Sequence, residues 1–205
     1  DLAEEYAQEV LVDVVKRGKV VHVHLSCPSD TLDQLRKAKR LTSKGRQPPQ
    51  PRALRDADHL LGLPSRDDGE PEGLVPHEVA RLRNDNQVIH FYQSMIKHCE
   101  ELGIGWTLEA SATSWLWYFP WVAEFEAKRD VLRMETDLCA WHGPAKQRIA
   151  IIGRLPDLGG LTRGCGVGAG DFPHRHREVG RDEAMAYPRE FAEALGQLIV
   201  ADLQG

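Results

Sequence analysis

The apolar run Val20-Val21-His22-Val23-His24-Leu25 leads into Ser26-Cys27-Pro28-Ser29. A Pro-Cys pair at the end of such a strand would present a thiolate, which adds to an electron-poor carbon because an appreciable fraction of a tuned cysteine is already ionised. Here the residue after the proline is Ser29, so the setting of a nucleophile is kept and the thiol is not. No histidine stands next to Ser29 to activate it, although His22 and His24 share its strand. Cys27, two residues back on the same side of a strand, is either a displaced nucleophile or a small side chain packed beside the sheet, which is the commoner fate of this residue type.

Other residues offer different chemistry. Cys139 and His142 are followed 23 or more residues later by Cys165, His174 and His176, and thiolate with imidazole is the ligand set that zinc prefers. Their spacings match no finger or knuckle pattern, so the alternative is independent packing of Cys139 with both late histidines exposed. Arg36, Lys37, Lys39, Arg40, Lys44 and Arg46 form one basic cluster, and Arg163, Arg175, Arg177 and Arg181 a sparser one; each is either a nucleic-acid contact or a solvated loop. The aromatic cluster Trp115, Trp117, Tyr118, Phe119 and Trp121 could stack on bases, but aromatics this dense more often anchor a core. The glycine-rich stretch 164–170 follows no strand and leads to no helix, and it reads as a flexible loop.

These residues need a scaffold. At 205 residues, with 41% apolar content, the chain can bury one full core; its mean hydropathy of -0.43 is ordinary for a globular protein. The net charge of -5 gives no global attraction to nucleic acid, so any such contact must be local. Four cysteines without a CxxC pair, and no signal peptide or apolar stretch of membrane length, point to an intracellular, reducing setting. Asp1 falls inside a helical pattern of Leu2, Tyr6, Val10, Leu11 and Val14, which suggests a segment of a longer polypeptide.

A helix over 2–17, a buried strand over 20–25 and a long proline-rich excursion over 30–77, with at most a short helix near 31–39, come first. A long helix from Glu78 follows, with Val88, Tyr92, Met95, Cys99 and Leu102 on one face, ended by Gly103 and Gly105. Strands over 106–109, 131–139 and 148–152 precede a last helix from Pro188 to Leu203, with Phe191, Leu195, Leu198 and Ile199 inward. Strands separated by helices predict a single α/β domain, 1–205, with a three-layer, Rossmann-like partial sheet and flanking helices.

The order of these signals resembles the cytosine-5 DNA methyltransferases, in particular a divergent group whose nucleophile strand reads like His-Leu-Gly-Thr-Pro-Cys-Thr-Thr-Phe-Ser. Here that stretch is His24-Leu25-Ser26-Cys27-Pro28-Ser29-Asp30-Thr31-Leu32-Asp33. Arg52-Ala53-Leu54-Arg55 with His59-Leu60-Leu61-Gly62-Leu63-Pro64 is similar to that group's Pro-Leu-Arg and Gly-Leu-Pro loop. Leu108-Glu109-Ala110-Ser111, then Ser114-Trp115-Leu116-Trp117, resembles its Glu-Asn-Pro motif followed by Ser-x-Leu-Trp, and Lys146-Gln147-Arg148 stands where its arginine motif lies. Ala186-Tyr187-Pro188-Arg189 is similar to the start of its terminal helix.

The resemblance implies a class I methyltransferase-like fold that uses S-adenosylmethionine on DNA. It places Ser29 at the nucleophile, Glu109 at the group that donates a proton or hydrogen bond to cytosine N3, and Arg148 beside the base or its phosphate. Arg36, Lys37, Lys39, Arg40, Arg52 and Arg55 become the expected nucleic-acid contacts, with the 30–77 excursion supplying a wedge for a base that leaves the duplex stack. Two departures, Ser29 for cysteine and Ala110-Ser111 for Asn-Pro, predict a domain that is inactive as it stands. No glycine-rich loop after a strand precedes residue 20, so S-adenosylmethionine binding should be weak or nil unless upstream strands exist in a parent polypeptide. The rival expectation is a non-catalytic module of a larger polyprotein that contacts DNA or protein, and a plain structural domain is a third; neither involves a membrane.

Overall fold

The computed structural model describes residues 2–27, 31–32, 34, 53–66, 73–144, 147–166 and 187–204. Helix α1 (Glu5–Lys16) runs into strand β1 (His22–Ser26), and helix α2 (Pro76–Leu102) into β2 (Gly105–Ser111). After a 3-10 turn, Trp115–Tyr118, come α3 (Pro120–Glu126) and β3 (Leu132–Asp137). A second 3-10 turn, Leu138–Trp141, leads to β4 (Arg148–Arg154), and a third, Leu158–Leu161, precedes α4 (Arg189–Asp202).

The boundaries have local causes. Pro76 occupies the first turn of α2, where its missing N–H costs nothing, and the Glu78 carboxylate accepts a hydrogen bond from the Val75 N–H at 3.1 Å. Gly103 ends the helix at φ 67, the left-handed conformation that suits glycine, with its N–H on the Cys99 and Glu100 carbonyls.

The sheet has the order β1-β2-β4-β3. β1 and β2 are parallel, whereas β4 runs antiparallel to both β2 and β3. The expectation of crossover connections throughout therefore needs correction at β3–β4. Only residues 138–147 join these strands, and they hold a 3-10 turn in place of a helix, too short a link to carry the chain back for a parallel start. The strand read over 131–139 accordingly stops at Asp137.

One face of the sheet is covered by α2 and α3, where Leu25, Trp106, Leu108, Ala110 and Ile152 pack with Ile89, Met95, Ile96 and Phe125. On the opposite face Met134, Ile149 and Ile151 lie under Phe191 and Leu195 of α4. The described later part of the excursion packs on the fold, since Leu54 and Leu74 are buried on Leu82 of α2 and Ser65 bridges Leu74. Helix α1 forms, but with its apolar residues outward: Tyr6 is 76% exposed, Val10, Leu11 and Val14 are also exposed, and Val15 alone is buried. Among the described residues no helix is long and apolar enough to cross a membrane.

Candidate functional site

Three parallel strands end on one edge of the sheet, and the fourth begins there. Cys27, just past β1, donates its backbone N–H to the Glu109 carbonyl at 2.8 Å. The chain that resumes at Thr31 stays alongside, because the Trp115 N–H reaches the Leu32 carbonyl at 2.8 Å and the Gln34 N–H the Thr113 carbonyl at 3.3 Å. Ala112 at the end of β2 is held by the Arg148 carbonyl at 3.0 Å. Ser29 itself lies outside the described residues, as do Arg36, Lys37, Lys39, Arg40 and Arg52.

Glu109 is 6% exposed, and its Oε2 is buried without a hydrogen-bond partner among the described residues. Such an atom is costly unless something else meets it. His24 stands nearest, Nε2 to Oε2 at 3.8 Å. The same His24 Nε2 bonds the Tyr187 hydroxyl at 3.0 Å, and its Nδ1 bonds the Thr107 hydroxyl at 2.8 Å. Thr107 also meets His22 Nε2 at 3.1 Å, so a single hydroxyl proton couples the tautomers of two imidazoles. Burial, with His24 adding to it, lowers the His22 pKa to about 4, which keeps that ring neutral near pH 7. Gly105 makes room for the ring: a Cβ there would lie 2.7 Å from His22 Nδ1. Sequence reading singled out His22 and His24 but missed Thr107 and Tyr187; the alternation His22/His24 beside Thr107/Glu109 on paired strands was the available signal.

Around the start of the excursion lies a second polar cluster. Arg55, expected at nucleic acid, is turned inward and only 1% exposed. Its Nε and Nη2 donate to the Thr31 hydroxyl at 3.2 and 3.0 Å, and Nη1 to the Leu60 carbonyl. The Asp85 carboxylate accepts from both the Thr31 N–H, at 3.1 Å, and the Thr31 hydroxyl. Burial lowers the Arg55 pKa to about 10 against the pull of Asp85. Arg55 thus fastens the excursion to α2 and to Thr31. Cys27 is buried in the core under α2, and burial followed by the Asp85 charge pushes its thiol far up, so it is a packing residue and not a displaced nucleophile. The Tyr92 hydroxyl donates to the Ser26 carbonyl at 2.8 Å and closes this end of β1.

Arg148 reaches the same edge but not the same face as Glu109. Glu109 pairs with Ile151, which lies under α4, and alternation along β4 puts Arg148 on the other face. Its Nε and Nη2 fork onto the two Asp137 oxygens at 2.9 and 2.8 Å, and this bond raises its pKa further. With a side chain 56% exposed, against 1% for Asp137, Arg148 faces solvent with its remaining N–H groups.

Of the zinc candidates, Cys139 and Cys165 are brought together, since the Cys165 N–H bonds Asp137 Oδ2 at 2.7 Å two residues before Cys139. His142 pairs with Glu190 at 3.4 Å instead, and His174 and His176 lie outside the described residues. Among the described residues no group of three or more metal-ligating side chains is assembled. The glycine-rich stretch begins after the third 3-10 turn, with Gly164 and Gly166 next to the segment that pairs with Asp137 on the outer side of β3, and 167–170 lie outside the described residues. In the aromatic cluster Phe119 and Trp121 are buried, Trp115 and Trp117 are half-buried against the same core, and Tyr118 is exposed. No protein family, no curated protein and no solved structure matches the chain.

Proposed function

We propose that the chain carries the catalytic elements of a cytosine-5 DNA methyltransferase-like domain and does not transfer a methyl group as it stands. The reading is carried by the main-chain bond from Cys27 to Glu109, which sets the strand leading into Pro28-Ser29 against the strand that carries a buried carboxyl group with one oxygen unpartnered among the described residues. The sheet order supports it: a class I methyltransferase sheet finishes with an antiparallel strand slipped between two parallel ones, as β4 is here. A groove of about 460 Å³ lined by Leu11, Val14, Val20 and Val23 runs along β1, on the side where such a sheet continues.

In this reading Glu109 meets N3 of a cytosine that has left the duplex, and Arg148 with the exposed Arg163 contacts backbone phosphate nearby. Ser29 cannot add to C6, so C5 gains no nucleophilic character. The test is a gain of the first half-reaction, which needs no methyl donor. In Ser29→Cys protein, thiolate addition to C6 makes C5 basic; C5 takes a solvent proton, and elimination then releases tritium from 5-tritiated cytosine in DNA. The unaltered protein should release none above background, Ser29→Cys should release it, and adding Glu109→Gln should slow release about 100-fold. No release from Ser29→Cys protein would falsify the proposal.

A second reading, a non-catalytic module that contacts DNA or protein, draws on the cover that His24 and Tyr187 place over Glu109. It gains if Ser29→Cys protein binds duplex DNA in low salt, with the salt dependence that phosphate contacts impose, yet exchanges no tritium.

A further inference from the structure

We propose that Cys139 and Cys165 form a reversible dithiol–disulfide pair, a site of oxidative modification by low-molecular-weight disulfides. The two lie far apart in sequence, and a short antiparallel seam brings them together. The Asp137 N–H donates to the Arg163 carbonyl at 2.8 Å, the Arg163 N–H to the Thr136 hydroxyl at 3.1 Å, and the Cys165 N–H to Asp137 Oδ2 at 2.7 Å. The Arg163 guanidinium closes the seam by lying 3.4 Å over the Trp141 ring. Cys139, two residues past Asp137, is thereby brought beside Cys165, whose backbone N–H is on the Asp137 carboxylate.

Access separates the two sulfurs. Cys165 is half-buried at the surface and Cys139 is buried behind it, whereas Cys27 and Cys99 are closed off in the core under α2. Oxidised glutathione meets Cys165 first. The Cys165 sulfur attacks one sulfur of the glutathione disulfide, releasing one glutathione thiol and leaving a mixed disulfide. The Cys139 sulfur then attacks the Cys165 sulfur, expels the second glutathione, and forms the internal bond. Two protein thiols are oxidised, one glutathione disulfide is reduced to two thiols, and the two protein protons end on the glutathione. The bond ties the β3–β4 connection to the segment after the third 3-10 turn, a link the folded seam already prepares.

The full chain is incubated with oxidised glutathione, denatured, and its remaining thiols alkylated and counted. The count should fall from four to two, a digest should contain a peptide joining 139 to 165, and dithiothreitol should reverse both. The thermal midpoint of the oxidised protein should rise, since the link shortens the unfolded chain's freedom. Cys165→Ser protein, altered at the half-buried site, should form no internal link. The proposal is overturned if glutathione remains on Cys165 without an internal bond, if a link involves Cys27 or Cys99, or if the purified protein carries one zinc per chain and its thiols react only after chelation.

Discussion

Ile151 and Glu109 are cross-strand partners on one face of the sheet, equally deep, and their surroundings differ completely. Ile151 is sealed under α4 with Phe191 and Leu195. Glu109, one strand over, shares its half of the face with Thr107, His24, His22 and the Tyr187 hydroxyl, and has a carboxyl oxygen that no described residue satisfies. On the other face the part under α2 is dry, built on Leu25, Trp106, Leu108, Ala110 and Ile152, and its polar groups include the Arg148–Asp137 pair at the far strand ends. The sheet is therefore apolar under α2, and polar in the quadrant of the opposite face where β1 and β2 carry His22, His24, Thr107 and Glu109. A carboxyl group buried without a partner is not what stability alone would select.

If this contrast is real, the dry face should carry stability. Trp106 is fully buried, edge-on to Phe125 at a centroid separation of 5.6 Å, with its indole N–H on Glu100 at 2.6 Å. Trp106→Ala should cost about 3–5 kcal/mol, read as a lower urea midpoint with an unchanged slope. A loss below 1 kcal/mol would remove the distinction between the faces. Next in size is Arg55. Its replacement by methionine keeps the volume and deletes the bonds to Thr31 and the Leu60 carbonyl, so chemical denaturation should show a loss of about 2–3 kcal/mol. DNA affinity should be unchanged in that variant, because the guanidinium faces inward.

The same contrast explains what the sequence made legible. α2, β2, β4 and α4 follow from apolar spacing because their buried faces are continuous, except that Leu102, read onto the buried face of α2, is exposed at the last turn. α1 was legible as a helix but not in orientation, since Tyr6, Val10, Leu11 and Val14 look like a core face and point outward. The end of β3 was overrun because Leu138 and Cys139 are buried in a 3-10 turn as they would be in a strand. Leu54 and Leu74 were passed over among the prolines, since isolated leucines have no period. In the polar quadrant Glu109 was legible and its neighbours were not. Thr107 acquires a role only through the register of β1 against β2, and Tyr187 is 163 residues from the ring it touches. Arg55 illustrates the opposite error, because a charge beside a turn gives no sign in sequence of facing inward.

Acid should expose the polar quadrant before the dry face. The His22 pKa is lowered from 6.5 to about 4, so between those values the unfolded chain takes up a proton that the folded chain refuses. The contribution is intact above pH 6.5 and is lost as the pH falls toward 4. Solvent reaches a half-buried ring, so the loss is on the order of 1–2 kcal/mol. Urea midpoints measured from pH 7 to 4 should fall more steeply for the unaltered protein than for His22→Gln. Parallel curves would mean that the ring is not held neutral in the fold.

The smallest effect is the most discriminating. Glu109→Gln preserves shape and removes charge from a carboxyl group whose Oε2 has no partner among the described residues and whose nearest cation candidate there, His24, is already bonded through Nε2 to Tyr187 and through Nδ1 to Thr107. If the group is held there for a ligand, the fold does not depend on its charge, and stability should change by less than about 1 kcal/mol in either direction at pH 7. If instead Glu109 and a protonated His24 are a buried ion pair that braces β1 against β2, deleting one charge strands the other, and the loss should reach about 3 kcal/mol. A urea titration of this one variant separates the two cases, and the larger loss would assign the polar quadrant to the scaffold, leaving the sheet edge without a group to meet a base.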